Sequence, residues 1–293
     1  MNNRNALLGI WLVIFFLNAP RVSIGAESAK LNSQGAGALR ITKKLIYNGI
    51  TVDAVIKKPA STTVDVMLTY HGTVGSDKLI LSAASKTLDY FDALYVNDTA
   101  LMYVSVAYPE EKLLFGDNVL QAEAALLWVQ HKAEQELGIK IGKVLLAGHS
   151  QGGYLVTRLN TMHETDGVVA SAPGPLNLVF RCQLEEDGKL EASRTCIALE
   201  KQYGATDINP QAYRDRSLLS FTSGYKADIL FFQGMADSSI QLASWPSFKK
   251  NIDSCSDCKH VQYIELPGLP HEALFMSEKA KKDFNSFIDQ KRR

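Results

Sequence analysis

One serine of this chain lies in the pattern of a strained turn between a strand and a helix. Residues 148–152 read Gly-His-Ser-Gln-Gly and match the pattern G-x-S-x-G. The apolar run 144–147 before them is typical of a buried parallel strand, and residues 154–162 carry apolar side chains at helical spacing. The flanking glycines leave the turn almost free of side chains. We therefore predict that Ser150 is the nucleophile of an acyl-transfer reaction.

A serine hydroxyl is a poor nucleophile, so this chemistry needs a base and a group that orients the base. Two later apolar segments, predicted as strands over 227–233 and 261–266, are followed by Asp237 and His271. Ser150, Asp237 and His271 then follow one another in the chain order of a Ser-Asp-His triad. In such a triad His271 accepts the serine proton, and Asp237 orients the imidazole and stabilises its charged form.

Other residues could take these places. Asp237 could instead shape a turn, and Asp207 and Asp215 are alternative acids. Among the histidines, His271 alone combines a late position, a predicted strand end and a loop rich in glycine and proline. His149, next to the nucleophile, is expected to support the packing of the loop. The remaining histidines lie on predicted helices, in a loop or before a strand: His71, His131, His163 and His260.

The negative oxygen that forms during attack needs hydrogen-bond donors already aimed at it. The backbone N–H of Gln151, directly after the nucleophile, is the first predicted donor. The second is expected from the loop after the third predicted strand, residues 64–70, and is either the Tyr70 hydroxyl or the Thr73 backbone N–H. Tyr70 could also be a half-buried aromatic residue at the end of a strand.

From about Val64 to its end, the chain resembles the catalytic domain of the prolyl oligopeptidase family and related small esterases. The matching stretches are Tyr-His-Gly at 70–72, Gly-His-Ser-Gln-Gly-Gly-Tyr at 148–154, Tyr-Arg-Asp-Arg-Ser at 213–217 before a predicted strand, Gly-Met-Ala-Asp at 234–237 and Pro-Gly-Leu-Pro-His at 267–271. The resemblance implies an α/β-hydrolase fold, serine chemistry and a Tyr70 hydroxyl that serves the oxyanion.

The chain also departs from this family. Leu218 stands where relatives usually have proline, and the cysteine pair within the region 173–225 is not an expected feature. Family peptidases place a propeller before the catalytic domain, whereas here fewer than about fifteen residues separate the predicted signal peptide from the first predicted strand. The resemblance therefore supports the chemistry and leaves the substrate open.

Turn signals and periodicity predict the elements that must position these residues. Asn48-Gly49 lies between predicted strands over 41–47 and 50–57 and favours an antiparallel hairpin. Strands then alternate with helices, one of them over 116–138. We therefore expect the α/β class, as an α/β-hydrolase fold: a mostly parallel central sheet with helices on both faces and an inserted cap segment.

Residues 40–293 are expected to form this domain. Within it, residues 173–225 are polar and irregular apart from a helical patch at 198–202. This segment falls between two predicted core strands whose ends face the site. We therefore predict an insertion that covers the nucleophile and walls one side of a substrate pocket, which favours a compact acyl group over an extended peptide.

Residues 1–26 have the features of a secretory signal peptide, with Arg4 before an apolar core over 6–17 and small residues near a plausible cleavage position. This core is shorter than the roughly 20 apolar residues that span a bilayer. We therefore expect cleavage rather than a retained anchor, and no stable membrane insertion afterwards. Residues 27–39 are then a flexible lead-in, and the expected location is secreted or periplasmic.

Four cysteines in an exported chain predict two disulfides. We expect local pairs, Cys182 with Cys196 and Cys255 with Cys258. The Cys-x-x-Cys pattern could instead be redox-active or bind zinc. Asn97 begins a glycosylation sequon, which has meaning only if the source is eukaryotic.

The composition excludes other classes of function. The 293 residues include 31 Lys and Arg against 31 Asp and Glu, so no basic surface for nucleic acid is expected. Motifs for nucleotide, dinucleotide or zinc-protease sites are lacking, and we expect no cofactor and no metal. We predict a secreted serine hydrolase that cleaves an ester, or an amide, of a small-molecule or short peptide-like substrate. The alternatives are an exported prolyl oligopeptidase-like peptidase and a non-catalytic binding protein of the same fold.

Overall fold

The described chain, residues 38–95 and 100–293 of a computed structural model, folds around an eight-stranded sheet. The predicted signal peptide, residues 27–37 of the predicted lead-in and Asn97 lie outside the described residues. The first two strands are β1 (Leu39–Tyr47) and β2 (Ile50–Lys58), which pair antiparallel. Asn48 and Gly49 join them with φ of 47° and 80°, as a two-residue hairpin turn requires. The predicted hairpin is confirmed.

The rest of the sheet is parallel except where the hairpin joins it. The remaining strands are β3 (Thr63–Tyr70), β4 (Leu101–Ala107), β5 (Lys140–His149), β6 (Gly167–Ser171), β7 (Ile229–Gly234) and β8 (Val261–Leu266). The strand order is β1-β2-β4-β3-β5-β6-β7-β8, and β2 pairs antiparallel with β4. Every residue of β4, β6 and β7 is buried, as expected for strands covered on both faces. The expected mostly parallel sheet is thus confirmed.

Helices cover both faces of the sheet. They are α1 (Ile80–Leu94), α2 (Val119–His131), α3 (Ala133–Leu137), α4 (Gln151–Met162), α5 (Leu178–Glu186), α6 (Arg194–Tyr203), α7 (Pro210–Arg214), α8 (Ser239–Asp253), α9 (Ala273–Met276) and α10 (Glu278–Arg292). On one face, α2, α4 and α8 pack against the sheet in a hydrophobic core around Trp128 and Trp245. On the other face, α1, α9 and α10 pack in a second core around Phe91 and Phe284. Within the described residues, no helix combines the length and the apolar character needed to cross a bilayer.

The single helix predicted over 116–138 is wrong, because the chain turns at Lys132 between α2 and α3. The indole N–H of Trp128 donates to the Glu136 carboxylate at 3.0 Å. In one straight helix these residues would lie about 12 Å apart along the axis. The turn brings them together, and Gly138 with φ of 62° ends α3 at the predicted position.

Residues 173–225 are helical rather than irregular. They contain α5, α6 and α7, whose N-cap side chains Asn177, Ser193 and Asn209 each accept a hydrogen bond from the backbone N–H three residues later. The helical patch predicted over 198–202 lies within α6, and the caps were the available sequence signal for α5, α7 and the start of α6. The stretch 213–217 lies at the end of α7 and leads into a 3-10 turn at Leu218–Ser220, after which the predicted strand over 227–233 follows as β7.

Both predicted disulfides are confirmed. Cys182–Cys196 joins α5 to α6 with a Cα separation of 5.3 Å, and Cys255–Cys258 closes a short loop after α8 with a Cα separation of 5.7 Å. A zinc site at the Cys-x-x-Cys pattern would need free thiolates. The bond between Cys255 and Cys258 uses both thiols, so this arrangement does not support the zinc alternative.

The two disulfides should differ in their contribution to stability. Alanine at Cys182 and Cys196 is expected to lower the free energy of unfolding by about 3 kcal/mol, because it frees a loop of about fifteen residues. Alanine at Cys255 and Cys258 frees only about four residues and should cost about 2 kcal/mol. Denaturant unfolding of both variants measures the difference, and a reversed order would contradict this account.

Candidate active site

The nucleophile turn has the strained backbone that its sequence predicted. Ser150 lies between the end of β5 and the start of α4 with φ of 57° and ψ of −120°, a region that residues other than glycine rarely adopt. Its N–H donates to the Ser171 carbonyl in β6 at 2.9 Å, and its carbonyl accepts the Tyr154 N–H at 3.0 Å. The neighbouring strand and the following helix therefore hold the serine in this conformation.

The glycines of the motif are needed because backbone meets backbone here. A Cβ at Gly148 would lie 2.1 Å from the Gly152 carbonyl oxygen. A Cβ at Gly152 would lie 1.9 Å from the Tyr70 carbonyl oxygen, at the end of β3. Both distances are far below van der Waals contact, so no other residue fits without moving the main chain. The turn and the end of β3 are thus in direct contact.

The ends of β7 and β8 bring Asp237 and His271 together. A Cβ at Gly234 would lie 1.9 Å from the Pro270 carbonyl oxygen, and the Ala236 N–H donates to the Leu269 carbonyl at 2.8 Å. In this arrangement, Nδ1 of His271 lies 2.7 Å from Oδ2 of Asp237. The structure therefore joins the predicted acid and base in a hydrogen bond.

The Asp237 carboxylate is well enclosed, with its side chain 4% exposed. It accepts hydrogen bonds from the Gln233 side chain at 2.9 Å and the Ser238 N–H at 2.6 Å, in addition to the bond with His271. Burial acts to raise the pKa of Asp237, but the hydrogen bonds from His271 and Gln233 outweigh it and hold the pKa below its usual value. Asp237 is thus a charged acceptor.

Gln233 was missed by the sequence analysis. It is fully buried at the end of β7, and its side-chain oxygen accepts a hydrogen bond from Gln241 of α8 at 3.0 Å. These contacts fix the amide so that its NH₂ group faces Asp237. A glutamine inside an apolar strand was the signal that could have identified it, because a buried polar side chain needs partners.

The alternative acids are not brought to the imidazole. Asp215 ends α7, where its carboxylate accepts from the Gln211 side chain at 2.5 Å on the surface. Asp207 is exposed in the connection before α7.

The pKa of His271 depends on Asp237. Burial of the imidazole acts to lower this pKa, but the hydrogen bond and the charge of Asp237 overcome that effect and raise the pKa above its usual value. The Asp237 carboxylate therefore stabilises the charged imidazole.

The ring of His149 packs against the rings of both His271 and Phe275. Its ring centroid is 4.8 Å from that of His271 and 5.3 Å from that of Phe275, and its Nδ1 lies 3.3 Å from the Ser171 hydroxyl. Burial, together with the nearby His271, lowers the pKa of His149 to about 4. This neutral ring packs beside the imidazole of His271.

Within the described residues the Ser150 hydroxyl forms no hydrogen bond. In enzymes, the hydrogen bonds used in catalysis often form only when the substrate binds.

The two predicted backbone donors lie on segments that contact each other. Gln151 is the first residue of α4, where backbone N–H groups have no partner within the helix. The hydroxyl of Thr73 donates to the Gln151 side-chain oxygen at 2.8 Å. A Cβ at Gly72 would lie 3.3 Å from the Ser150 Cβ, so the loop carrying Thr73 lies against Ser150.

The structure contradicts the expectation for the Tyr70 hydroxyl. Tyr70 is fully buried, and its hydroxyl donates to the Ala122 carbonyl of α2 at 3.0 Å. Side chains alternate along a strand, and Tyr70 shares the α2 face of β3 with Val66 and Leu68. Its hydroxyl therefore points into the core, where its hydrogen is already donated to α2. The alternative interpretation as an aromatic residue at a strand end fits better, with complete rather than partial burial.

A cavity of about 340 Å³ opens beside the nucleophile turn. Its lining is mainly apolar, and it includes Gly72 and His149, which both flank Ser150. None of its lining residues comes from 173–225, which instead line a separate cavity of about 40 Å³ near Ser238. The expected wall from the insertion is therefore wrong for the larger cavity. That cavity is lined by the loop after β3, α1 and the start of the C-terminal region: His71, Gly72, Thr73, Val74, Ala83, Lys86, Thr87, Tyr90, His149, Glu272 and Phe275.

Comparison with known proteins finds no matching family profile and no matching curated sequence. Solved structures do match. Est1E from Butyrivibrio proteoclasticus superposes with a TM-score of 0.59 at 14% identity, over 85% of this chain and 98% of that one. A thermostable esterase from Pseudomonas putida gives 0.61 at 16% identity, over 88% and 83%. The chain has the α/β-hydrolase fold. Acylaminoacyl peptidase from Pyrococcus horikoshii gives 0.62 at 13% identity over 87% of this chain, which spans only 42% of that protein.

The α/β-hydrolase fold accounts for where the predicted residues lie. In this fold the nucleophile turn follows a central strand, and the acid and base follow later strands at the same edge. Ser150, Asp237 and His271 follow β5, β7 and β8 in that way. These similarities, all below 17% identity in the structures described, extend to the fold and not to a substrate.

Asp237→Asn is expected to lower the pKa of His271 below its ordinary value of about 6.5. The substitution removes the charge that raises this pKa most, and leaves only the smaller effect of Glu272 against burial of the imidazole. NMR titration of the His271 ring in the wild type and the variant measures the shift. Asp215→Asn, on the surface of α7, is the matched control and should leave the His271 titration in place. A pKa that stays the same or rises in Asp237→Asn would rule out this electrostatic account.

Proposed function

We propose that the protein is an exported serine hydrolase that cleaves carboxylic ester bonds through an acyl-enzyme, with Ser150, Asp237 and His271 as its triad. The observation that carries the proposal is the hydrogen-bonded Asp237–His271 pair at the same sheet edge as the strained Ser150 turn. A binding protein has no need of a strained serine at the same sheet edge as a hydrogen-bonded acid–base pair. That several similar structures are named esterases supports the same proposal.

In the proposed reaction, Nδ1 of His271 is engaged by Asp237, which leaves Nε2 to accept a proton. Ser150 Oγ attacks the ester carbonyl carbon while its proton passes to His271. The tetrahedral intermediate collapses, and the alcohol leaves with that proton. Water then gives a proton to His271 and attacks the acyl carbon, and release of the acid returns the proton to Ser150. Only neutral His271 can begin this sequence, so acid pH should suppress it.

The negative oxygen of each intermediate would be held by the backbone N–H groups of Gln151 and Thr73. Gln151 contributes the N-terminus of α4, where the helix dipole also favours negative charge. Thr73 lies on the loop that contacts Ser150. Such donors are already oriented toward the oxyanion, so the protein need not reorganise during the reaction. Losing one donor typically lowers kcat by about 10²- to 10³-fold. The Tyr70 hydroxyl takes no part in this proposal.

The 340 Å³ cavity is the proposed place for one side of the ester. Val74, Ala83 and Phe275 provide apolar walls, which favour a compact apolar group. The two charged residues of the lining, Lys86 and Glu272, are exposed, so the cavity has no buried charge to anchor a peptide terminus. Amide cleavage also demands protonation of a leaving amine in a tightly aligned substrate. We therefore expect esters to be preferred over amides.

Export of the enzyme belongs to the same proposal. Its two disulfides fit an oxidising compartment, where such bonds persist. Together with the signal-like sequence of residues 1–26, they favour a secreted or periplasmic location.

A fluorophosphonate probe is expected to label Ser150, and Ser150→Ala should abolish both labelling and ester hydrolysis. Loss of a triad serine typically lowers kcat by on the order of 10⁶. Mass spectrometry of the labelled peptide locates the site. Ser82→Ala, at an exposed position of α1, is the control and should label like the wild type. Labelling that persists in Ser150→Ala would remove this residue as the nucleophile.

Ester preference is tested with matched substrates, p-nitrophenyl butyrate against butyryl p-nitroanilide. We expect a higher kcat/KM for the ester, because the anilide leaves less readily and the cavity offers no anchoring for a peptide. Aminoacyl and dipeptidyl anilides extend the comparison. Turnover of these amides at or above the rate for matched esters would replace the esterase proposal with the exported prolyl oligopeptidase-like peptidase.

A further inference from the structure

The loop that carries Thr73 depends on charged residues from outside it. Residues 71–76 belong to no helix or strand. The Val74 N–H, in the peptide directly after Thr73, donates to both oxygens of the Glu110 carboxylate at 3.2 Å. The carbonyls of Val74 and Gly75 accept hydrogen bonds from the Arg194 guanidinium at 2.7 and 2.8 Å. An acid and a base therefore hold the two sides of one peptide segment.

Arg194 reaches this loop from a different part of the fold. It is the first residue of α6, in the segment between β6 and β7, 120 residues after Val74. Its planar guanidinium donates one bond to each of two successive carbonyls, which restricts the direction of the loop as well as its distance from α6. Burial raises the pKa of Glu110 to about 7, while the Val74 N–H and the charge of Arg194 oppose that rise. Glu110 and Arg194 thus bind adjacent peptide groups of the same loop.

The start of α6, which carries Arg194, is held firmly against α5. Cys196, two residues later, is bonded to Cys182 of α5. The N-cap Ser193 donates its backbone N–H and its hydroxyl to the Glu185 carboxylate at 2.7 and 2.9 Å, which ties the start of α6 to α5 a second time. A tether can position a loop only if its other end is fixed. These bonds provide that fixed end.

We propose that Arg194 is a positioning residue that holds the Thr73 backbone N–H in place for the oxyanion. It acts through the carbonyls of Val74 and Gly75 and does not touch substrate. The inference rests on the proposed hydrolase function. It gives the segment between β6 and β7 a role in catalysis other than forming the wall of the 340 Å³ cavity.

A positioning role predicts a change in kcat rather than in substrate binding or folding. In Arg194→Ala we expect kcat for a short ester to fall about tenfold, since misplacing a catalytic group by 1 Å can cost about 10²-fold. KM should stay within about twofold, because seven of the eleven residues that line the cavity lie outside the loop that Arg194 holds. The melting temperature should change little, because Arg194 is exposed. Arg194→Lys keeps one cationic donor and should recover part of the rate.

Hydrogen exchange provides a readout of the loop itself. The amides of residues 73–77 should exchange faster in Arg194→Ala than in the wild type, while the amides of α4 should not change. The matched control is Arg214→Ala, an arginine of α7 whose guanidinium, in the part of the chain that the structure describes, donates a hydrogen bond to Gln211 of its own helix. This control should match the wild type in kcat and in exchange.

The outcomes separate the two proposals. If the wild type shows no Ser150-dependent hydrolysis, the proposed function fails, and the exchange measurement still reports whether Arg194 holds the loop. If the wild type is active and Arg194→Ala keeps its kcat, the positioning proposal is overturned. It is also overturned if the loss appears in KM or in melting temperature, or if loop exchange is unchanged. A tenfold loss of kcat with faster loop exchange supports it.

Discussion

Close approach of backbone to backbone at the carboxyl edge of the sheet is the constraint on which the rest of the site depends. At Gly148, Gly152 and Gly234 a Cβ would lie within about 2 Å of a main-chain oxygen. These contacts pull the nucleophile turn onto the end of β3 and the loop after β8 onto the end of β7. A side chain at any of them would separate the strand ends, and the groups proposed to react would separate with them.

Electrostatics then sets the state of the groups that this edge brings together. Asp237 is enclosed, yet it stays charged because three donors face its two oxygens. Gln233 is held in turn by Gln241, so the acid is supported through a chain of buried amides. His149 remains neutral beside His271 and adds no second positive charge at neutral pH. The pKa of the proposed base is therefore raised mainly by Asp237, with a smaller contribution from the charge of Glu272.

Local sequence signals predicted much of this arrangement. The Asn-Gly hairpin, the glycine pattern around Ser150 and the short cysteine spacings depend on residues close in sequence, and the structure contains all three features. Alternation along β3 could have placed Tyr70 in the core, because it shares the period of Val66 and Leu68. The resemblance to peptidases drew attention to its hydroxyl instead. The polar composition of residues 173–225 favoured irregular structure, so α5, α7 and the start of α6 were not predicted, although their N-caps indicated them.

The contacts that sequence could not supply are those between distant charges and backbone. Nothing in the vicinity of Val74 indicates that Glu110, 36 residues later, and Arg194, 120 residues later, bind its two peptide groups. An irregular loop has no ladder of backbone bonds, and its conformation therefore has to be fixed by side chains from elsewhere. The polar stretch between β6 and β7 is the source of one such side chain. The charge of Arg194 and the Cys182–Cys196 disulfide in this stretch therefore bear on the proposed catalysis as the proposed triad does. A donor aimed at an oxyanion is only as well placed as the loop that carries it.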